Sequence, residues 1–222
     1  MTEQWRIFRI LAEFIESIQF MASAGSSVSI FGSARVKAGT KYYQLAEKIG
    51  RRLAEKNISV ITGGGPGLME AANKGAYQAR GRKKGRSIGL NIELPYEQHP
   101  NKFLTHLKNF HYFFIRKVMF VKYARGMIIL PGGYGTMDEF FEVMTLIQTG
   151  KIKKIPVVLV GSNFWMPLIN YFRGHILQEG LIEEIDMDIF TVVDTAEEAV
   201  SIMVKHIGRA KAVTDNLKYA LS

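Results

Sequence analysis

Hydrophobic residues along this chain follow two spacings, one typical of helices and one of short buried strands. In the first segment they recur every three or four positions and predict an amphipathic helix over residues 3–20, with an apolar face of Ile7, Leu11, Phe14, Ile18 and Met21. Short apolar runs then predict strands over residues 28–31, 58–62, 87–92, 127–130, 156–160 and 190–193.

Helical patterns separate these strands. They predict helices over residues 41–56, 68–79, 113–125, 137–149, 163–177 and 196–206, whereas residues 93–104 are predicted to form a loop. Such alternation is typical of βαβ units and predicts an α/β fold, a Rossmann-like doubly wound parallel sheet with helices on both faces. We expect one nucleotide-binding domain over residues 1–222, with an N-terminal helix within 1–22 and a polar C-terminal tail over 208–222.

The amino-acid composition excludes several kinds of site and a membrane-spanning segment. The 222 residues include no cysteine, which excludes disulfides, thiolate nucleophiles and zinc sites built on cysteine. Charged residues interrupt every apolar stretch near the N-terminus, and no run approaches the about 18 apolar residues of a membrane span. We therefore expect a cytoplasmic protein with no membrane partner.

The net charge is +9, and five of these positive charges lie within Arg80, Arg82, Lys83, Lys84 and Arg86. A cluster of this kind could contact a nucleic acid or an anionic partner. It has no interleaved aromatic residue for base stacking, so we favour a solvated loop and expect no nucleic-acid partner.

Two glycine clusters each stand between a predicted strand and a predicted helix. The first is Gly63-Gly64-Gly65-Pro66-Gly67 and the second is Pro131-Gly132-Gly133-Tyr134-Gly135-Thr136. Glycine lets the backbone approach a ligand closely, and a helix N-terminus favours an anion such as phosphate. Because ligands bind beyond the carboxyl ends of the strands in such sheets, we expect both clusters to border one crevice.

Neither cluster has the Gly-Lys-[Ser/Thr] ending of a nucleoside triphosphate site or the spacing of a dinucleotide site. A mononucleotide fits better. No serine-hydrolase elbow is present, and the spacing of His99, His106 and His111 does not match a metal site, so we predict no metal.

Five charged residues lie near these clusters in the sequence. Glu139 and Asp138 follow the second cluster and Glu70 follows the first, where acidic side chains commonly offset the helix dipole; Asp138 is predicted to cap its helix. Arg116 and Lys117 stand in an apolar helical segment and form either an ordinary surface pair or partners of the crevice carboxylates or the ligand.

The stretches Gly63 to Ala72 and Pro131 to Glu139 resemble the LOG (“lonely guy”) family of cytokinin riboside 5′-monophosphate phosphoribohydrolases, often mislabelled as lysine decarboxylases. The second stretch matches the family pattern Pro-Gly-Gly-x-Gly-Thr-x-x-Glu in full, and the Arg116-Lys117 pair also matches. The resemblance covers roughly residues 27–205 and implies a Rossmann-like homodimer, or a larger homo-oligomer, with the active site near the subunit contact.

The resemblance also implies hydrolysis of a nucleoside 5′-monophosphate, such as AMP or a cytokinin riboside monophosphate, to the free base and ribose 5-phosphate without a cofactor or metal. It implies Glu139 and Arg116 as the catalytic pair, with Gly133, Gly135 and Thr136 holding the phosphate. The full set of substrate-binding residues is then Gly64, Gly65, Glu70, Lys117, Gly132, Gly133, Tyr134, Gly135 and Thr136.

Two other functions stay open on the sequence alone. A nucleotide sensor or carrier without activity could use the same fold and the same glycine clusters, because a fold does not determine an activity. A pyridoxal-dependent lysine decarboxylase would need a Schiff-base lysine and a partner for the pyridine nitrogen. No lysine at the expected crevice has that context.

Overall fold

The computed structural model describes residues 3–79, 85–94 and 99–220, with side chains up to residue 209. The strands are β1 (Ser27–Phe31), β2 (Ser59–Thr62), β3 (Ser87–Ile92), β4 (His106–Phe110), β5 (Ala124–Ile129), β6 (Val157–Val160) and β7 (Phe190–Val193). The helices are α1 (Glu3–Met21), α2 (Lys41–Glu55), α3 (Leu68–Gln78), α4 (Phe113–Lys122), α5 (Tyr134–Gln148), α6 (Ser162–Tyr171) and α7 (Ala196–Ala220).

The seven strands form one parallel sheet in the order β4-β3-β2-β1-β5-β6-β7. Strand β1 lies between β2 and β5, so the chain winds outward to β4 and then returns to the other side of β1. The predicted doubly wound parallel sheet is confirmed. Its topological switch point lies between β1 and β5, which is where such folds bind ligands.

Each face of the sheet has its own hydrophobic core, because successive side chains of a strand point to opposite faces. In β5, Ile128 packs with α2, α3 and α7, whereas Ile129 packs with α1, α4, α5 and α6. Both side chains are fully buried. Helices therefore cover both faces, as predicted.

One strand that the sequence pattern did not indicate lies between the predicted loop over residues 93–104 and the predicted helix over residues 113–125. Residues His106–Phe110 form β4 at the edge of the sheet, paired with β3 alone. Residues 106–109 alternate between partly buried and exposed and include Lys108 and Asn109, and only Phe110 at the end of the strand is fully buried. A polar edge strand of this kind lacks the apolar run that predicted the other strands.

Four helix boundaries differ from the prediction by three residues or more, and one of them is the end of α6, which lies at Tyr171 and is followed by a π-helical turn over Phe172–Ile176. Helix α5 begins at Tyr134 rather than Met137, α4 ends at Lys122 rather than 125, and α7 continues to Ala220, where a polar tail was expected from residue 208. Because α5 begins early, Gly133 is its N-cap residue and the prediction that Asp138 caps this helix is wrong. Arg80, Arg82, Lys83 and Lys84 of the basic stretch lie outside the described residues; Arg86 donates a hydrogen bond to Ser23 Oγ at 2.7 Å.

Candidate active site

A hollow of about 850 Å³ opens at the carboxyl ends of β1 and β5, at the switch point of the sheet. Its rim is formed by the turn after β1, by Gly63 after β2, and by the turn and first residues of α5 after β5. The first and second glycine clusters therefore border the same hollow, through Gly63 on one side and Gly132, Gly133 and Gly135 on the other.

Two backbone hydrogen bonds join the turn after β1 to both glycine clusters. The Ser33 N–H donates to the Pro131 carbonyl at 3.0 Å, and the Leu68 N–H donates to the Ser33 carbonyl at 2.9 Å. A Cβ on Gly67, which has φ +69°, would overlap the backbone of Ser33 and Ala34. Glycine at position 67 thus allows the three turns to pack as one rigid rim.

The second glycine cluster leaves open space above two of its residues. A Cβ built on Gly133 or Gly135 would meet no protein atom within 4 Å, whereas one on Gly132 would overlap the Thr136 side chain. The N–H groups of Thr136 and Met137 both bond to the Gly133 carbonyl at 3.0 Å, which closes the first turn of α5. Packing within the protein therefore requires glycine at position 132 but not at 133 or 135.

Glu139 lies in the second turn of α5 and borders the hollow. Its side chain is almost completely buried, with the residue 4% exposed, and its Oε2 has no hydrogen-bond partner among the described residues. Burial raises the pKa of Glu139 to about 7, with a further increase from the charges of Glu142 and Asp138, while the charges of Lys117 and Arg116 oppose it. A carboxyl of this kind exchanges protons near neutral pH.

Arg116 borders the hollow from α4. Its guanidinium carbon lies 4.8 Å from the ring centre of Phe113 and 5.7 Å from that of Phe120, both within the range of cation–π attraction. Its Nε is buried and has no hydrogen-bond partner among the described residues. Burial lowers the pKa of Arg116, and the charges of Glu139 and Asp138 oppose this shift.

Lys117, which follows Arg116 on α4, lies beside the hollow without lining it. Its Nζ donates to Asp138 at 2.8 Å and lies 3.2 Å from Glu142. Burial alone would lower the pKa of Lys117, but its bond to Asp138 and the charges of Glu139 and Glu142 outweigh burial and raise it. This lysine therefore stays charged and ties α4 to α5 beside Glu139.

Three other predicted site residues also lie behind the rim. The amide of Asn101 donates to the carbonyls of Gly64 and Gly65, both at 3.0 Å, and Glu70 accepts a hydrogen bond from the Tyr43 hydroxyl at 2.9 Å. Gly64, Gly65 and Glu70 do not line the hollow. Tyr134, by contrast, stands at its mouth and is 96% exposed, and the buried Thr136 lies in its wall.

Two features of the hollow were not predicted from the sequence. One is an apolar wall contributed by six different elements or loops, consisting of Phe31, Met69, Ile92, Leu94, Phe113, Phe120 and Met137. The other is Arg35, an exposed cation in the turn after β1. The sequence did offer a signal for Arg35, because this residue stands two positions after Ser33 in a turn at the end of a predicted strand. The apolar residues carried no signal, because their spacing is that of an ordinary core.

Within residues 3–79, 85–94 and 99–220, no cluster of three histidine or acidic side chains could hold a metal ion. The helices of the same residues include none that is long and apolar enough to cross a membrane.

Comparison with known proteins gives a consistent set of relatives. The chain is 35% identical over 157 residues to the cytokinin riboside 5′-monophosphate phosphoribohydrolase of Rhodococcoides fascians, which covers 70% of this chain and 78% of that protein. It is 28% identical over 178 residues to the pyrimidine/purine nucleotide 5′-monophosphate nucleosidase of Escherichia coli (strain K12), covering 76% of this chain but only 38% of that protein.

Among solved structures, the X-ray structure titled TM1055 matches with a TM-score of 0.60 at 23% identity, covering 81% of this chain and 99% of that one. This likeness concerns the fold alone. Residues 69–203 match the family model described as “Possible lysine decarboxylase”. That match spans more than half of the chain and includes the complete second glycine cluster and Glu139. This protein therefore belongs to the LOG family, to which that family model corresponds.

Proposed function

We propose that this protein hydrolyses the N-glycosidic bond of nucleoside 5′-monophosphates and releases the free base and ribose 5-phosphate. The observation that carries the proposal is the buried carboxyl of Glu139, which has an unpartnered oxygen and borders the same hollow as the open turn at Gly133 and Gly135. The names of the relatives from Rhodococcoides fascians and Escherichia coli support this reaction class.

In this proposal the phosphate binds the turn Gly132–Thr136, where the N-terminus of α5 favours an anion. Gly133 and Gly135 leave room for phosphate oxygens close to the backbone, Thr136 supports the turn, and Tyr134 covers the mouth. The apolar wall then receives the base. Because the phosphate is remote from the bond that breaks, its binding energy can hold the sugar in the reactive position.

The reaction breaks the bond between C1′ and the base nitrogen and forms a bond between C1′ and a water oxygen. The electron pair of the broken bond leaves with the base, which takes up a proton, and the attacking water loses one. The transition state carries positive charge at C1′, which the ionised Glu139 would stabilise while it orients or deprotonates the water. Arg116 would either contact the phosphate or position the charged carboxylate of Glu139.

The four predicted residues behind the rim have indirect roles in this proposal. Lys117, through Asp138 and Glu142, fixes the helix turn that carries Glu139. Gly64 and Gly65 form the turn that follows Gly63, and Glu70 ties α3 to α2 through Tyr43. We also expect the protein to act in the cytoplasm as a homodimer or larger homo-oligomer, which stays a prediction.

A panel of nucleosides and their 5′-monophosphates tests the reaction directly. We expect AMP and other monophosphates to yield free base, and adenosine to yield at least about a hundredfold less, because it lacks the group that the α5 turn binds. Chromatography of the free base provides the measurement. A protein that binds AMP but releases no adenine would instead support the sensor or carrier.

Lysine decarboxylation is a weaker candidate for this site. Among the described residues that line the hollow there is no lysine to form a Schiff base, and the Lys117 amine is bound to Asp138. A visible absorbance spectrum of the purified protein, with and without added pyridoxal phosphate, checks this alternative. A protein-bound Schiff-base band together with release of CO₂ from lysine would contradict the proposal.

The raised pKa of Glu139 predicts how activity depends on pH. If the ionised carboxylate acts, kcat/KM should rise as the pH increases through about 7 and then level off, since this parameter reports the free enzyme. The second pKa of the substrate phosphate lies near 6, so its own titration must be measured separately by phosphorus NMR. A profile that falls through pH 7 would exclude Glu139 as a base or charge-stabilising group.

A further inference from the structure

Among the described residues, three charged ones line the hollow and give it a positive balance. They are Arg35, Arg116 and Glu139, so the lining carries one net positive charge when Glu139 is ionised. A phosphate monoester carries about −1.5 to −2 charges at pH 7, and a helix N-terminus offsets only about half of one charge. A phosphate at the turn Gly132–Thr136 therefore needs a cation in addition to the N-terminus of α5.

Arg116 is engaged with Glu139 and with its aromatic neighbours. Its guanidinium lies over the rings of Phe113 and Phe120. Burial lowers the pKa of Arg116, and the charge of Glu139 opposes that shift more strongly than any other charge. If this cation moved to a phosphate, the buried Glu139 carboxylate would lose part of its compensation, which is costly at a buried site. Arg116 is therefore better placed to position Glu139 than to bind the phosphate.

Arg35 combines a fixed backbone with a guanidinium that no carboxylate holds. Its N–H donates to Ser33 Oγ at 3.1 Å, and the backbone of Ser33 is bonded to Pro131 and Leu68. The residue is exposed, and no acidic side chain of the described residues forms an ion pair with it. Because Pro131 directly precedes Gly132, the bond from Ser33 holds this turn beside the proposed phosphate site.

We propose that the Arg35 guanidinium binds the 5′-phosphate of the substrate from the side opposite the turn Gly132–Thr136, whereas Arg116 positions Glu139. This assignment rests on the proposed function, because it takes the 5′-phosphate to lie at that turn. The planar guanidinium can donate two parallel hydrogen bonds to phosphate oxygens, and such charge-assisted bonds are about twice as strong as neutral ones. Arg35 then distinguishes nucleotides from nucleosides by the group that it binds.

Removal of the guanidinium should therefore reduce activity only on substrates that carry the phosphate. We expect Arg35→Ala to lower kcat/KM for AMP about 10–100-fold, as loss of a hydrogen bond between charged groups does, and to leave kcat/KM for adenosine within about threefold. Arg35→Lys keeps the charge but loses the two parallel donors, so its kcat/KM for AMP should lie between those of the wild type and Arg35→Ala. An equal loss on AMP and adenosine would contradict the assignment.

Lys37→Ala is the matched control, because it removes one positive charge from the same segment at an exposed residue that does not line the hollow. Its kcat/KM for AMP should stay within about twofold of the wild-type value, since an exposed charge outside the site acts only through a screened field. The unfolding curve of Arg35→Ala should match that of the wild type, because the guanidinium has no ion-pair partner among the described residues.

Calorimetry with ribose 5-phosphate tests Arg35 without any turnover, so its result is separate from that of the proposed reaction. We expect Arg35→Ala to raise the Kd of this probe at least about tenfold and Lys37→Ala to leave it unchanged. If the wild-type protein released no base from AMP, the proposed reaction would be wrong, whereas the same rise in Kd would still support Arg35 as a phosphate ligand. Equal Kd values in the two variants, or no binding of ribose 5-phosphate by the wild type, would overturn the assignment.

Discussion

Replacing Glu139 by glutamine is expected to lower turnover by about two or more orders of magnitude while nucleotide binding is retained. The amide has the shape of the carboxyl but cannot stabilise positive charge at C1′ or accept a proton from water. Because the carboxyl is buried and its Oε2 has no partner among the described residues, the substitution breaks no hydrogen bond of that atom. Release of free base gives kcat, and calorimetry with AMP gives the Kd.

Asp138→Asn is the matched control for this experiment. Asp138 precedes Glu139 on α5 but is more than half exposed, and it bonds to Lys117 rather than bordering the hollow. We expect its turnover to stay within a few-fold of the wild-type value, because the amide oxygen of asparagine can still accept a hydrogen bond from Lys117, which also lies 3.2 Å from Glu142. If Glu139→Gln were as active as Asp138→Asn, the mechanism proposed for Glu139 would be wrong.

Gly135→Ala should raise KM for AMP at least about tenfold without loss of folding stability. The added methyl group meets no protein atom within 4 Å but enters the space where the phosphate is proposed to bind. Since Gly135 lies in the first turn of α5, alanine there should stabilise the folded state by up to about 0.5–1 kcal/mol. Steady-state kinetics and thermal unfolding of the same preparation measure the two effects. We expect Gly133→Ala to raise KM as well.

Gly132→Ala provides the contrast, because its Cβ would overlap the Thr136 side chain. We expect this variant to lose about 1–3 kcal/mol of stability, as overpacked sites do. Stability and affinity should therefore change independently at neighbouring glycines. An unchanged KM in both Gly133→Ala and Gly135→Ala would remove this turn from the phosphate site.

The sequence pattern alone predicted the sheet class, because alternating apolar runs and helical spacings report local structure that tertiary packing then preserves. All six predicted strands are present in the parallel sheet, and both glycine clusters stand at strand ends as expected. Strand β4 was missed since a polar edge strand shows no apolar run. The early start of α5 was missed because glycine at residues 133 and 135 obscures a helical pattern.

The chain by itself therefore determined the fold class, the two glycine clusters and the family motif that contains Glu139. Only the tertiary structure decided which of these residues share one hollow, because β1 and β5 pair across more than ninety residues of intervening chain. It placed Gly63 at the rim but Gly64, Gly65 and Glu70 behind it, and it buried Glu139 so that its pKa rises. Burial and proximity are sums over contacts from distant segments, and no local spacing in a sequence records them.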